Sequence, residues 1–232
     1  MNLLFVGGFF VPSQMDFINI TSKGVVQNAA DVLQKNIVKS LSMYADKIEV
    51  VNLPFVGAYP ALSSSLFFPS VVDEFSGVDV KGLSFLNLPI IKHFSRFFRL
   101  TKYLFSLPKS DNLTLVVYSY HLPFMTSAYL LKLFRPNIKT FIVVPDLPEY
   151  MSDNNSLIYR FFKKIDTLLG NIIFNKFDGY VFLTRQMAEK LNISADDYIV
   201  VEGIADLGDF PVSEDSTVIG DYIFYFLFRI IY

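Results

Sequence analysis

Apolar residues recur along this chain in two periods. Four compact runs, LLFVGG at residues 3–8, LVVYSYH at 115–121, FIVVPDLPE at 141–149 and GYVFLTRQ at 179–186, each end on a glycine or a polar group. Runs of this length, rich in β-branched and aromatic residues, read as strands covered on both faces. Three more strands follow from IEVVNLP at 48–54, from a segment near 79–86 and from YIVVEGI at 198–204. Between them apolar positions fall at helical spacing, as in Val26, Ala29, Ala30, Leu33, Ile37 and Leu41. Further helices are predicted over PIIKHFSRFFRLTKYLF, FMTSAYLLKLF, a stretch from about 155 to 175, and RQMAEKLN. The segment from Gly7 to Gly24 reads as a long glycine-flanked loop, and residues 54–76 as a second loop rich in Pro, Ser and Phe. Strand and helix alternate, so the expected fold class is α/β. The pattern predicts a Rossmann-like, doubly wound, mostly parallel sheet over residues 1–205, with helices on both faces.

In an open sheet of this kind ligands bind outside the carboxyl ends of the strands. That rule places Gly7, Gly8, His121, Asp146, Glu149, Thr184, Arg185 and Glu202 along one rim. Gly7 and Gly8 let backbone approach a ligand closely and expose amides suited to phosphate oxygens, although a plain tight turn accounts for them equally. His121 carries an imidazole able to exchange hydrogen bonds with a sugar hydroxyl, against the alternative of a turn residue holding a carbonyl. Asp146 and Glu149 bracket Leu147-Pro148, and the pair suits hydroxyl recognition or acid and base work. Acids opening a helix also merely complement its dipole. Thr184 reads as a helix cap beside Arg185, and Glu202 stands before Gly203 where a hinge is expected.

The segment from Pro89 to Phe105 contains no acid. Wound as a helix, it puts Lys92, Arg96, Arg99 and Lys102 on one side and Ile91, Phe94, Phe97, Phe98 and Phe105 on the other. Either the Phe side packs on the sheet and the bases are solvated, or the helix lies in the headgroup region of an anionic bilayer through those four bases.

Composition narrows the function classes. Hydrophobic residues make up 52% and charged residues 18%, so the chain is not disordered and has ample material for a core. A net charge of -2 argues against a nucleic-acid partner recognised through overall charge. There is no cysteine, hence no disulfide framework and no thiolate metal site or nucleophile. The two histidines, His93 and His121, stand far apart in dissimilar contexts, which excludes a histidine-rich metal site. No basic residue precedes the first apolar run and no apolar run reaches the roughly 20 residues of a spanning helix. The expected location is the cytoplasm, with peripheral attachment to the inner face of the cell membrane as its extension.

Residues 206–221 form an acidic stretch holding Asp206, Asp209, Glu214, Asp215 and Asp221 without a base, as an interdomain linker does. Together, LLFVGGFF, YSYH, VVPDLPEYM, FDGYVFLT and YIVVEGI resemble the N-terminal, acceptor-side half of a GT-B glycosyltransferase of the family 4 kind, over roughly residues 1–210. The resemblance implies hexosyl transfer from a nucleotide-sugar donor to a glycan or lipid-linked acceptor in surface polysaccharide synthesis. It implies Gly7 and Gly8 near the donor diphosphate, His121 near the transferred sugar, and Asp146, Glu149, Thr184 and Arg185 on the cleft rim. Members of this family are usually retaining and metal-independent, and no DxD triplet occurs in the chain, so no cofactor is expected.

The chain departs from that pattern in lacking a donor-binding half. DYIFY resembles the first strand of one, and the expectation is that residues 222–232 are its remnant in a truncated product with little activity alone. A separate chain carrying the donor-binding domain is the corresponding partner. A non-catalytic domain that binds acceptor lipid at a membrane surface is the rival reading. A hydrolase is disfavoured by the lack of GxSxG, and a Rossmann dehydrogenase by the lack of GxGxxG after the first strand.

Overall fold

The computed structural model describes residues 1–24, 26–109, 112–147 and 167–202. Glu149, most of the helix expected over 155–175, the acidic stretch 206–221 and the strand expected at 222–232 lie outside the described residues. In chain order the elements are β1 (Asn2–Gly7), α1 (Pro12–Thr21), α2 (Asn28–Ser42), β2 (Lys47–Asn52), β3 (Phe67–Phe68), β4 (Val71–Phe75), β5 (Val78–Gly82) and β6 (Phe85–Leu86). They continue with α3 (Ile91–Ser106), β7 (Leu113–Tyr118), α4 (Leu122–Phe134) and β8 (Lys139–Val144). A helical segment at 167–174, here α5, precedes β9 (Gly179–Phe182), α6 (Arg185–Lys190) and β10 (Tyr198–Val200).

Eight strands form one sheet in the order β10-β9-β8-β7-β1-β2-β5-β4. Every neighbouring pair is parallel except β4 with β5. From β1 the chain moves to β2, on to the edge strand β4 and back into β5 between them, then crosses to the other side of β1 at β7 and works outward to β10. The reversal lies between β1 and β7, where Phe5 stands beside Val116 and Val6 beside Val117. A crevice opens outside the strand ends at such a reversal.

The two-residue period of each strand divides the core between two faces. On one face Leu4, Val6, Leu115, Val117, Ile142 and Val144 pack with Leu100 and Leu104 of α3 and Phe124, Ala128 and Leu131 of α4. On the other, Leu3, Phe5, Val116, Phe141 and Val143 pack with Ile37, Val38 and Leu41 of α2. The doubly wound α/β sheet expected from the alternation is therefore present.

Two local expectations change. The long loop after Gly7 contains α1, which starts with Pro12 in its first turn and buries only Gln14 and Ile18. With so thin a buried stripe it shows little apolar period. The strand expected over 79–86 divides into β5 and the short β6, which pairs with β3. Ahead of β5 runs the antiparallel β4, joined to it by Ser76 and Gly77 at φ 52° and 77°. Two successive positive φ values are what a tight hairpin turn requires.

Candidate functional site

The loop leaving β1 is buried and its polar groups are held from within. The Gly8 amide donates to Gln34 Oε1 at 2.7 Å, Phe9 to Asn52 Oδ1 at 3.0 Å and Phe10 to Asp31 Oδ1 at 2.6 Å. Asn52 Nδ2 donates back to the Phe9 carbonyl at 2.8 Å, and the Phe55 amide to that of Gly8 at 2.8 Å. Space, not torsion, demands the two glycines. A Cβ on Gly8 would lie 2.7 Å from the Phe55 ring and 2.8 Å from the Leu53 carbonyl; one on Gly7 would lie 2.6 Å from the Phe5 ring. The close approach expected here is thus made by the protein itself, and the Gly8 amide is committed to Gln34.

Across the reversal, β7 ends at Tyr118 and turns through Ser119 at φ 73°, whose amide donates to the Val143 carbonyl at 2.7 Å. His121 then takes the cap position of α4. Its carbonyl accepts the amides of Phe124 at 2.9 Å and Met125 at 3.1 Å, so its backbone starts the helix while its side chain makes no cap bond. The ring lies among Phe124, Phe55 and His93, with centroids 4.4, 5.5 and 5.6 Å away. Among the described residues its Nδ1, buried, finds no hydrogen-bond partner, nor does the hydroxyl of Tyr118. Desolvation, then the charges of Arg96, His93 and Lys92, hold the His121 imidazole well below its usual range, which leaves it neutral.

The bases of α3 do not sit as its amphipathic pattern suggests. Arg96, expected among the solvated or membrane-facing bases, is 2% exposed. Its guanidinium donates to the Pro54 carbonyl at 2.5 Å and lies 4.4 Å from the centre of the Phe85 ring and 5.9 Å from that of Phe55. Lys92 Nζ donates to the Val56 carbonyl at 3.2 Å. The reason is hydrogen-bond satisfaction: the loop after β2 tucks carbonyls under α3, and buried carbonyls need donors. The aromatic faces hold the planar cation where, among the described residues, no carboxylate does. Arg99 and Lys102 remain exposed, and so do Ile91, Phe94, Phe98 and Phe105, so the Phe side does not pack on the sheet.

Lys92, His93, Arg96 and His121 therefore meet at the reversal. Burial lowers Arg96 to about 9, still charged at neutral pH. Burial and then Arg96 bring Lys92 down to about 8. His93 is exposed at the open edge, so its lowering to about 4, by desolvation against the His121 ring and then by Lys92 and Arg96, is screened by solvent and less firmly held than that of His121. Among the described residues, every charge acting on these four groups is positive.

The other rim residues lie progressively farther out. Asp146, exposed two residues past β8, shares the sheet edge with His121 because β7 and β8 run parallel. Its charge reaches the site through Tyr118, whose phenol is raised by burial and then by Asp146. Thr184 caps α6 with extended backbone but makes no side-chain cap bond, and exposed Arg185 is hydrogen-bonded to Tyr198, which raises its pKa. With strands about 5 Å apart, these two stand about 10 Å from β7 and the exposed Glu202 farther still, so they do not join the cluster. The contribution of His93, Lys92 and Arg96 escaped the sequence reading, although their spacing along one helix end, just after Pro89, was the available signal.

Chemically the arrangement offers a neutral imidazole with a vacant nitrogen, a charged lysine and a buried guanidinium, in a setting suited to an anionic group and a neighbouring hydroxyl. Among the described residues, no three His, Cys, Asp or Glu side chains gather to hold a metal ion. No protein-family model matches the chain, and no curated protein matches it.

Proposed function

We propose that this domain is the acceptor-side half of a glycosyltransferase that moves a hexosyl group from a nucleotide sugar to a glycan or lipid-linked acceptor in surface polysaccharide synthesis. One observation carries the reading: a cationic cluster of Lys92 and Arg96, with no ion-paired acid among the described residues, surrounds a neutral histidine at the reversal of a doubly wound sheet. Diphosphate is common to a nucleotide sugar and to a lipid-diphosphate acceptor, and it supplies the charge the cluster lacks. In the reaction the bond from the sugar C1 to the diphosphate oxygen breaks, with its electron pair leaving on that oxygen, a bond from C1 to the acceptor oxygen forms, and the acceptor hydroxyl passes its proton to the departing diphosphate. His121 accepts from or donates to a sugar hydroxyl, and Asp146, one strand over, faces the acceptor side. The donor-side wall belongs to a second α/β unit, in this or another chain.

Calorimetric titration of the full chain with a nucleotide-sugar panel and with a short-chain prenyl-diphosphate sugar tests this. Saturable binding of one of them, weakened about tenfold or more by His121→Ala through a lost hydrogen bond and ring contact, is expected. Absence of binding by every compound, or binding indifferent to His121, would overturn it. The rival reading, a binding module without catalysis, predicts the same titration but no turnover once a donor-binding unit is supplied.

A further inference from the structure

The side of α3 turned away from the sheet is apolar. Phe94 is 54% exposed and Phe98 63%, with Ile91 and Phe105 beside them along the helix. The patch runs on to α4, because Phe134, 73% exposed, meets the Phe105 ring edge-on at 5.4 Å. The two helices are fixed to each other: Thr101 and Ser127 share a hydrogen bond at 2.9 Å, and Arg135 donates to the Leu107 and Pro108 carbonyls at 2.8 and 3.1 Å. Arg99 and Lys102 flank the rings, exposed. The surrounding sequence is one-sided too. Residues 80–145 hold nine Lys and Arg and a single acid, Asp111, in a chain whose net charge is -2.

We propose that this α3–α4 face docks on an anionic lipid bilayer, with Phe94, Phe98, Phe105 and Phe134 entering the headgroup and acyl boundary and Arg99 and Lys102 meeting lipid phosphates. The inference stands independently of the transferase reading. It differs from the four-base face that the sequence suggests, since Lys92 and Arg96 turn inward, each donating to a loop carbonyl, and so lie away from this face. Exposed rings rimmed by bases with no acid among them are what such a surface needs: apolar area for insertion and positive charge for attraction. A second copy of the chain is the poorer fit. Self-pairing about a two-fold axis would set Arg99 and Lys102 against their own like charges. Among the described residues, no helix is long and apolar enough to cross a membrane, so the contact is peripheral.

The chain contains no tryptophan, so Phe98→Trp creates a single fluorescent reporter on this face. With vesicles of phosphatidylcholine and phosphatidylglycerol, its emission shifts to the blue and brominated acyl chains quench it; phosphatidylcholine alone gives a weaker response, as does high salt. In flotation, Phe94→Glu with Phe98→Glu lowers the bound fraction about tenfold or more. Arg99→Glu and Lys102→Glu each lower it about fivefold on the anionic vesicles only. Since these side chains are exposed, circular dichroism and the urea midpoint stay at parent values and exclude misfolding as the cause. No response of the Phe98→Trp variant to anionic vesicles, or flotation indifferent to all four substitutions, overturns the proposal. So does light scattering that finds a parent dimer which Phe98→Glu dissolves.

Discussion

Arg96 shows how far a single residue can depart from its type. Buried Arg96, with no carboxylate partner among the described residues, is retained because one of its guanidinium N–H groups satisfies the Pro54 carbonyl and its plane rests on Phe85 and Phe55. Truncation by Arg96→Ala orphans that carbonyl and empties the space, so urea unfolding should show a loss of about 2–4 kcal/mol. Arg96→Lys should lie between, since an ammonium lacks the fork and the stack. The histidines give a pH signature. Both are held neutral in the fold, below their unfolded value, so the unfolded chain binds more protons in mild acid. The stability this contributes is complete above the unfolded pKa near 6.5 and is lost as pH falls from there towards about 4. Thermal melts should drop by about 2–4 °C per kcal/mol lost between pH 7 and 5, and His121→Phe should flatten that slope. Gly8→Ala should cost about 1–3 kcal/mol, because the Phe55 ring and Leu53 carbonyl leave no room for a methyl.

At the scale of elements, α3 separates composition from orientation. Its sequence divides cleanly into basic and aromatic sides, yet the sheet-facing line is Arg96, Leu100 and Leu104. Periodicity alone says that two faces exist; which one turns inward depended on carbonyls in a loop more than thirty residues earlier, which no local window contains. Leu100→Ala should therefore destabilise by about 2–5 kcal/mol, while Phe98→Glu, larger and more drastic on paper, should stay within about 0.5 kcal/mol of the parent in urea unfolding. The helix α1 was hidden for a related reason. It buries a glutamine and one isoleucine, so it carries almost no apolar rhythm. The buried strands β1, β7, β8 and β9 were legible because each is a continuous apolar run bounded by turn residues.

Over the whole molecule, alternation of strand and helix was enough to specify a parallel sheet, and the rule of strand ends was enough to put Gly7, His121 and Asp146 on one edge. What alternation does not contain is the reversal between β1 and β7, which brings α3 over the start of α4 and sets two histidines, distant in sequence, 5.6 Å apart. That juxtaposition is the basis of the functional proposal. Because His93 and His121 are the only histidines, an imidazole nitrogen spectrum of the full chain contains two signal sets, both from the site. The most direct measurement is that spectrum at neutral pH during titration with a short-chain prenyl-diphosphate sugar and, separately, a nucleotide sugar. The account predicts neutral imidazoles at the outset and a saturable shift of both signal sets with at least one ligand, the Arg96→Met variant starting from higher histidine pKa values and binding more weakly. Imidazoles that titrate near the ordinary value of about 6.5 and ignore both ligands would contradict it.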